Sequence, residues 1–261
     1  MPLIDAGDGC QLNVSLDGRA DGPVLMFSNS LGATLAMWEP QVAALADDFR
    51  IIRYDRRGHG ASSIDPRPYA MERFGRDVLA ILDHLKIEKT HWCGLSMGGM
   101  VGQWLGANAP ERFDRLVLAN TACYYPDPSN WLARIKAVKE QGLAAIADTV
   151  IAGWLTEDFR KRDPEATARM KAMLVATPAE GYIACCEALS TLDQRALLPK
   201  ITRPTLVIAG RYDKSTTVEA AETIRSGIAG ASLTILDAAH ISNVEQADAF
   251  TEALHGFLTQ K

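Results

Sequence analysis

The 261-residue chain predicts an α/β fold, with a mostly parallel central sheet, helices on both faces and an inserted helical cap. Three observations predict it. Short apolar runs alternate with stretches of helical periodicity, the pattern of strand–helix–strand units. The segment Gly94-Leu95-Ser96-Met97-Gly98 sits where an apolar run gives way to a helical pattern. One long stretch, residues 121–199, carries helical patterns and no convincing strand.

The elements follow in order. Residues 11–16 alternate, which predicts an opening antiparallel strand. Residues 24–27 are continuously apolar, as expected of a strand covered on both faces. Residues 35–45 have helical character, and 50–54 form another short strand. Phe74, Val78, Ile81, Leu82 and Leu85 recur at spacings that put them on one helix face. Residues 89–93 read as the strand into Ser96. Met100, Val101, Trp104 and Leu105 then recur at helical spacing. Further strands are expected at 116–119, 205–209 and 233–236. Phe250, Leu254, Phe257 and Leu258 give the closing helix its buried face. Within the strandless stretch, helices are expected over 133–138, 143–155, 166–175 and 183–189. Pro164, Pro178 and Pro199 are break points, because proline cannot continue a helix that precedes it. Residues 1–120 and 200–261 therefore form the expected core, and 121–199 a cap over the sheet's C-terminal edge.

Composition narrows the function classes. Hydrophobic residues make up 48% of the chain and charged residues 23%, ordinary for a globular enzyme. A net charge of -5 argues against nucleic acid as a partner. No apolar stretch is long enough to span a bilayer, and the first residues lack a basic-then-apolar signal pattern. Five cysteines without a Cys-x-x-Cys pair read as reduced, mostly buried residues of a cytoplasmic protein. No His/Cys cluster has metal-ligand spacing, and no cofactor is expected.

The segment around Ser96 reads as a nucleophile elbow. A serine there is held on a sharp strand-to-helix turn, with its hydroxyl raised above the sheet. The flanking glycines have a steric reason, since a Cβ at either neighbour would crowd the strained turn. A hydroxyl needs a base, usually a histidine oriented by a carboxylate. His240 follows the last strand run and precedes the closing helix, so it falls on a loop at the sheet's C-terminal edge. His84, His91 and His255 lie within helices or a strand, and His59 sits in a Gly-rich turn. Asp213 is the expected acid, because Ala209-Gly210-Arg211-Tyr212-Asp213 leaves a strand at the same edge. Asp237 is closer to His240 in sequence but reads as a turn cap. Acyl transfer also needs donors for the tetrahedral oxyanion. The backbone N–H of Met97, next after the nucleophile, is one. Leu31, in the loop Ser28-Asn29-Ser30-Leu31-Gly32, is the expected second.

These motifs resemble the α/β-hydrolase superfamily over nearly the whole chain. Asp55-Arg56-Arg57-Gly58-His59-Gly60-Ala61-Ser62 resembles the structural turn after its fourth strand. Some superfamily members carry the acid after the preceding strand, where this chain has Asn120. Many members have His-Gly before the oxyanion donor, where this chain has Asn29-Ser30, and Gly before the histidine, where it has Ala239. The segments 28–32 and 94–100, with Ala119-Asn120-Thr121-Ala122 and Gly210-Arg211-Tyr212-Asp213, are similar to the 3-oxoadipate (β-ketoadipate) enol-lactonases. That resemblance implies opening of an enol-lactone to 3-oxoadipate in aromatic catabolism, with a small anionic lactone as substrate. A cation is then expected in the cap, with Arg134 the candidate. Trp131, Trp154 and Trp38 are candidates for the apolar wall. Two other enzyme classes share the catalytic parts: other esterases, haloperoxidase-like ones included, and carbon–carbon hydrolases of ring-cleavage products. A ligand-binding receptor on the same fold is the reading from outside enzymology.

Overall fold

The computed structural model describes residues 2–260. Its eight-stranded sheet has the order β1-β2-β4-β3-β5-β6-β7-β8. β1 (Leu3–Asp5) and β2 (Gln11–Gly18) are antiparallel to their neighbours. From β4 (Arg50–Tyr54) and β3 (Val24–Ser28) onward, through β5 (Thr90–Leu95), β6 (Phe113–Ala119), β7 (Thr205–Gly210) and β8 (Ser232–Leu236), every pairing is parallel. Apart from β8 at the sheet edge, which is mostly half-buried or exposed, the parallel strands are largely buried, and all six residues of β7 are. That is why they read as continuous apolar runs rather than alternating ones.

Helices α1 (Glu39–Leu45), α2 (Met71–His84), α3 (Met97–Asn108), α9 (Val218–Gly227) and α11 (Ala247–Leu258) cover the sheet, with the one-turn α10 (Ser242–Glu245) before the last. In α2 four residues of the predicted face, Phe74, Val78, Ile81 and Leu82, are buried, whereas the fifth, Leu85, caps the helix end and is half-buried. Residues 35–45 are not one helix. A 3₁₀ turn at Leu35–Trp38 precedes α1, and Pro40 falls in the first turn of α1, where its missing N–H is harmless.

Between β6 and β7 the chain forms α4 (Ser129–Gln141), α5 (Leu143–Trp154), α6 (Glu157–Arg162), α7 (Pro164–Val175) and α8 (Ala179–Ser190). Among the described residues this stretch holds no strand, only an isolated bridge between Tyr124 and Asp193. Pro164 opens α7 and Pro178 precedes α8, whereas Pro199 lies inside a 3₁₀ turn. The sequence pattern does not show α6, because only Phe159 of its six residues is buried. Its start is nonetheless marked. The Thr156 hydroxyl accepts the Phe159 N–H, and Glu157 and Asp158 occupy the first turn, where negative charge meets the positive end of the helix. No helix among the described residues is long and apolar enough to cross a membrane.

Candidate active site

Ser96 links β5 to α3 in a conformation side chains rarely adopt, φ 58° and ψ -117°. Its neighbours explain how the turn closes. A Cβ on Gly94 would sit 2.2 Å from the Gly98 carbonyl oxygen, and one on Gly98 would sit 2.2 Å from that of Ser28. Only glycine fits either place. The strained residue is held on both sides: its N–H donates to the Ala119 carbonyl at 2.8 Å, and its carbonyl accepts the Thr121 hydroxyl at 2.7 Å.

Asp213 and His240 leave the C-terminal ends of β7 and β8 and meet there. The imidazole Nδ1 lies 2.7 Å from Asp213 Oδ2. The same oxygen accepts the Thr216 hydroxyl at 2.6 Å and the Asn120 amide at 3.2 Å. Oδ1 accepts the N–H groups of Ser215 and Thr216 at 2.9 and 3.0 Å. Burial alone would raise the Asp213 carboxyl, but the His240 ring and the Thr216 donors outweigh it and hold the group below the usual carboxylate range. The carboxylate therefore stays charged and orients the ring. Asn120 is itself fixed by the Ser242 hydroxyl, which donates to its Oδ1 at 2.5 Å. Asp237 is exposed and paired with Arg211 at 2.6 Å, away from this network.

The loop after β3 lies against the elbow. The Asn29 carbonyl accepts the Gly98 N–H at 3.1 Å and also the buried Arg56 guanidinium. The Gly32 N–H donates to His59 Nε2 at 2.9 Å. Neither the Leu31 nor the Met97 N–H donates to a protein group among the described residues.

Ser96, His240 and Leu31 line a solvent-open cavity, closed from the cap by Trp131, Arg134 and Trp154. Thr149 and Val150 of α5 also line it; nothing in the sequence separates them from other helix positions. The Arg134 guanidinium lies 5.1 Å from the Trp131 ring centroid and donates to the Tyr182 hydroxyl at 3.2 Å. Among the described residues it has no carboxylate partner. A second cavity shares Trp131, Arg134, Gly153 and Ser215 with the first and continues past Lys214.

Trp38 corrects an expectation, because it does not face the cavity. It is fully buried, stacked on Phe27 with ring centroids 4.5 Å apart, and its Nε1–H donates to Asn29 Oδ1 at 2.9 Å. Its indole supports the loop from behind. All five cysteines are free and buried. Burial pushes Cys123 up to about 11 and Cys185 up to about 12, so they are poor nucleophiles.

A strained serine, an imidazole tied to a carboxylate and free amides beside them are parts that acyl transfer uses. Comparison with known proteins agrees with that class. Residues 23–247 match the family model described as alpha/beta hydrolase fold. The chain is 45% identical to 3-oxoadipate enol-lactonase 2 of Acinetobacter baylyi, over 95% of this chain and 92% of that one. It superposes on the crystal structure of the enol-lactonase from Burkholderia xenovorans LB400 with a TM-score of 0.96 and 42% identity, covering 98% of this chain and all of that one. A protein of Stutzerimonas stutzeri named as a carbamate hydrolase, RutD, is 30% identical over 96% of this chain and 97% of its own. From the elbow at Ser96 to the loop of His240, this chain is a member of the α/β-hydrolase family.

Proposed function

We propose that the protein is a serine hydrolase that opens the lactone ring of 3-oxoadipate enol-lactone to 3-oxoadipate, a step in aromatic catabolism. The observation that carries the reading is one cavity with Ser96 and His240 on its floor and, on its roof, the Arg134 cation, which has no carboxylate partner among the described residues. The similarity to enol-lactonases supports it.

The chemistry then runs as follows. His240 Nδ1 is held by Asp213, so Nε2 takes the proton as Ser96 Oγ attacks the lactone carbonyl. The Leu31 and Met97 amides stabilise the resulting oxyanion. Collapse breaks the ring C–O bond. The departing enolate takes the proton from His240, and the enol becomes a ketone, which makes reclosure unfavourable. A water then gives its proton to His240 and adds to the acyl-enzyme. Collapse returns that proton to Ser96 and frees a second carboxylate. Arg134 pairs with the carboxylate already present on the substrate, and Trp131 and Trp154 cover its ring.

The test is turnover of the purified chain on the enol-lactone, a neutral aryl ester and an N-alkyl carbamate. The lactone should be preferred by kcat/KM. Faster turnover of the carbamate, or of long-chain neutral esters, would remove the lactonase reading.

A further inference from the structure

We infer that Glu245 is a positioning residue that ties the cap to the loop carrying His240, so that the substrate wall and the base are placed as one unit. The inference rests on the reading of His240 as the base.

His240 lies between two chain neighbours that are each fastened toward the corner joining α5 and α6. On one side, the Ala239 N–H donates to Glu245 Oε2 at 2.9 Å. The same carboxylate accepts the Thr156 N–H at 3.2 Å and, on Oε1, the Thr156 hydroxyl. On the other side, the Ile241 N–H donates to the Trp154 carbonyl at 2.9 Å. Trp154 thus has two duties: its side chain lines the cavity and its backbone holds the residue after His240.

Glu245 is only 5% exposed, and among the described residues it has no ion-pair partner. A buried carboxylate without a cation is costly unless hydrogen bonds satisfy it. Here three neutral donors do so. Two come from the cap and one from the histidine loop, and they converge on one side chain. An amide replaces it poorly. Glutamine keeps one acceptor oxygen for the two N–H groups, but its NH₂ can meet the Thr156 hydroxyl only by reversing that bond, which takes the acceptor away from the hydroxyl proton. The attachments would also lose their charged acceptor, and the loop would be held less firmly in register with the cap.

The consequence is kinetic. Loosening the loop should slow the proton transfer without weakening substrate binding. Misplacement on the scale of an ångström can cost about a hundredfold. The experiment uses the full chain and compares wild type, His240→Ala, Glu245→Gln, Thr156→Val and Thr156→Ser. The readouts are kcat and KM on a neutral aryl acetate, the rate of Ser96 modification by phenylmethylsulfonyl fluoride, and the melting temperature. Glu245→Gln should lower kcat and the modification rate together by about ten- to a hundredfold, with KM nearly unchanged. Thr156→Val should lower both less, and Thr156→Ser, which keeps the hydroxyl, should recover most of that loss. Should Glu245→Gln fail to fold, the Thr156 pair decides alone. A lower melting temperature with kcat and modification rate intact would overturn the inference, as would equal losses for the two Thr156 variants. If His240→Ala keeps its modification rate, the reading of the base falls and the inference with it. If His240→Ala loses the rate while Glu245→Gln and Thr156→Val do not, only the tie is wrong.

Discussion

Asp213, on the sheet side of the cavity, accepts five hydrogen bonds from four residues. Arg134, on the cap side, donates one, to a tyrosine hydroxyl, and rests over an indole. The sheet side is over-determined. Asp213 and Asn120 there are buried and each has several partners, so removing one strands the others in a medium where an unpaired polar atom costs about 1–3 kcal/mol. The cap side is lightly held, by ring faces and one long flexible cation. Rigidity sits where reacting atoms must meet within fractions of an ångström, and adaptability where a substrate must be chosen. Substitutions on the two sides should therefore fail differently: the first in rate on every substrate, the second in binding of one kind.

The largest effect tests the sheet side directly. Ser96→Ala should reduce kcat at least about a thousandfold on lactone and aryl ester alike, with an unchanged circular dichroism spectrum. Retention of most of the activity in a folded variant would remove Ser96 from the chemistry. Asp213→Asn comes next. It keeps the shape but replaces an acceptor with a donor facing the His240 ring, so kcat should fall at least about a hundredfold. Asp237→Asn should do little, since that carboxylate is exposed and paired with Arg211. The opposite order would make Asp213 a turn residue and move the acid elsewhere.

The same contrast explains what the sequence made legible. Ser96 stands out because its turn is local: the glycines that permit it lie two residues away on either side. Asp213 and His240 stand out because each follows an apolar strand run, and parallel strands deliver their C-terminal ends to one edge. The groups that complete the network leave no such mark. Asn120 reaches Asp213 across 93 residues, and Thr156 reaches Glu245 across 89. A lone Asn or Thr in a loop looks the same with or without such a partner. Trp38 shows the reverse problem. Sequence places it downstream of the oxyanion loop but does not say which way the ring turns, and the packing of Phe27 and Phe250 turns it inward. Residues 35–45 look like one helix because periodicity alone does not separate a 3₁₀ turn from the α-helix that follows it.

A third prediction concerns stability on the sheet side. Burial, reinforced by Arg56, pushes the His59 imidazole down to about 3. It stays neutral in the fold and accepts the Gly32 N–H. In the unfolded chain a histidine takes a proton near pH 6.5. Between about pH 6.5 and 3 the unfolded state therefore holds one proton more, and stability falls as pH falls, by about 1.4 kcal/mol per unit. His59→Asn keeps an acceptor without titrating. Urea unfolding between about pH 6.5 and 5 should show its acid slope flattened by about 2 kcal/mol over that window, while Arg134→Ala leaves the slope as in wild type. An unaltered slope in His59→Asn would mean that the buried ring is not what resists acid.

The smallest effect is the most selective, and it tests the cap side. Arg134 lines the cavity over Ser96, with no carboxylate to neutralise it among the described residues. An anionic lactone would supply that carboxylate, and the pair would form in a site partly shielded from water, where a charge-assisted hydrogen bond contributes about 1.5–3 kcal/mol. Arg134→Ala should then raise KM for the anionic lactone about tenfold or more, leave its kcat within a small factor, and barely change either constant for a neutral aryl ester. The neutral ester carries the argument, because the guanidinium also covers the Trp131 ring. If truncation acts by loosening that indole, both substrates lose affinity together, since both lie against the same wall. Arg134→Lys separates charge from shape further. It keeps the cation but not the planar fork that meets a carboxylate through two parallel hydrogen bonds, so it should recover part of the KM for the lactone and none of any loss on the ester. Equal changes on the two substrates would refute the pairing and leave Arg134 as a packing residue of the cap. Selective loss on the anion would mean that the lightly held side of the cavity chooses the substrate which the rigid side then cleaves.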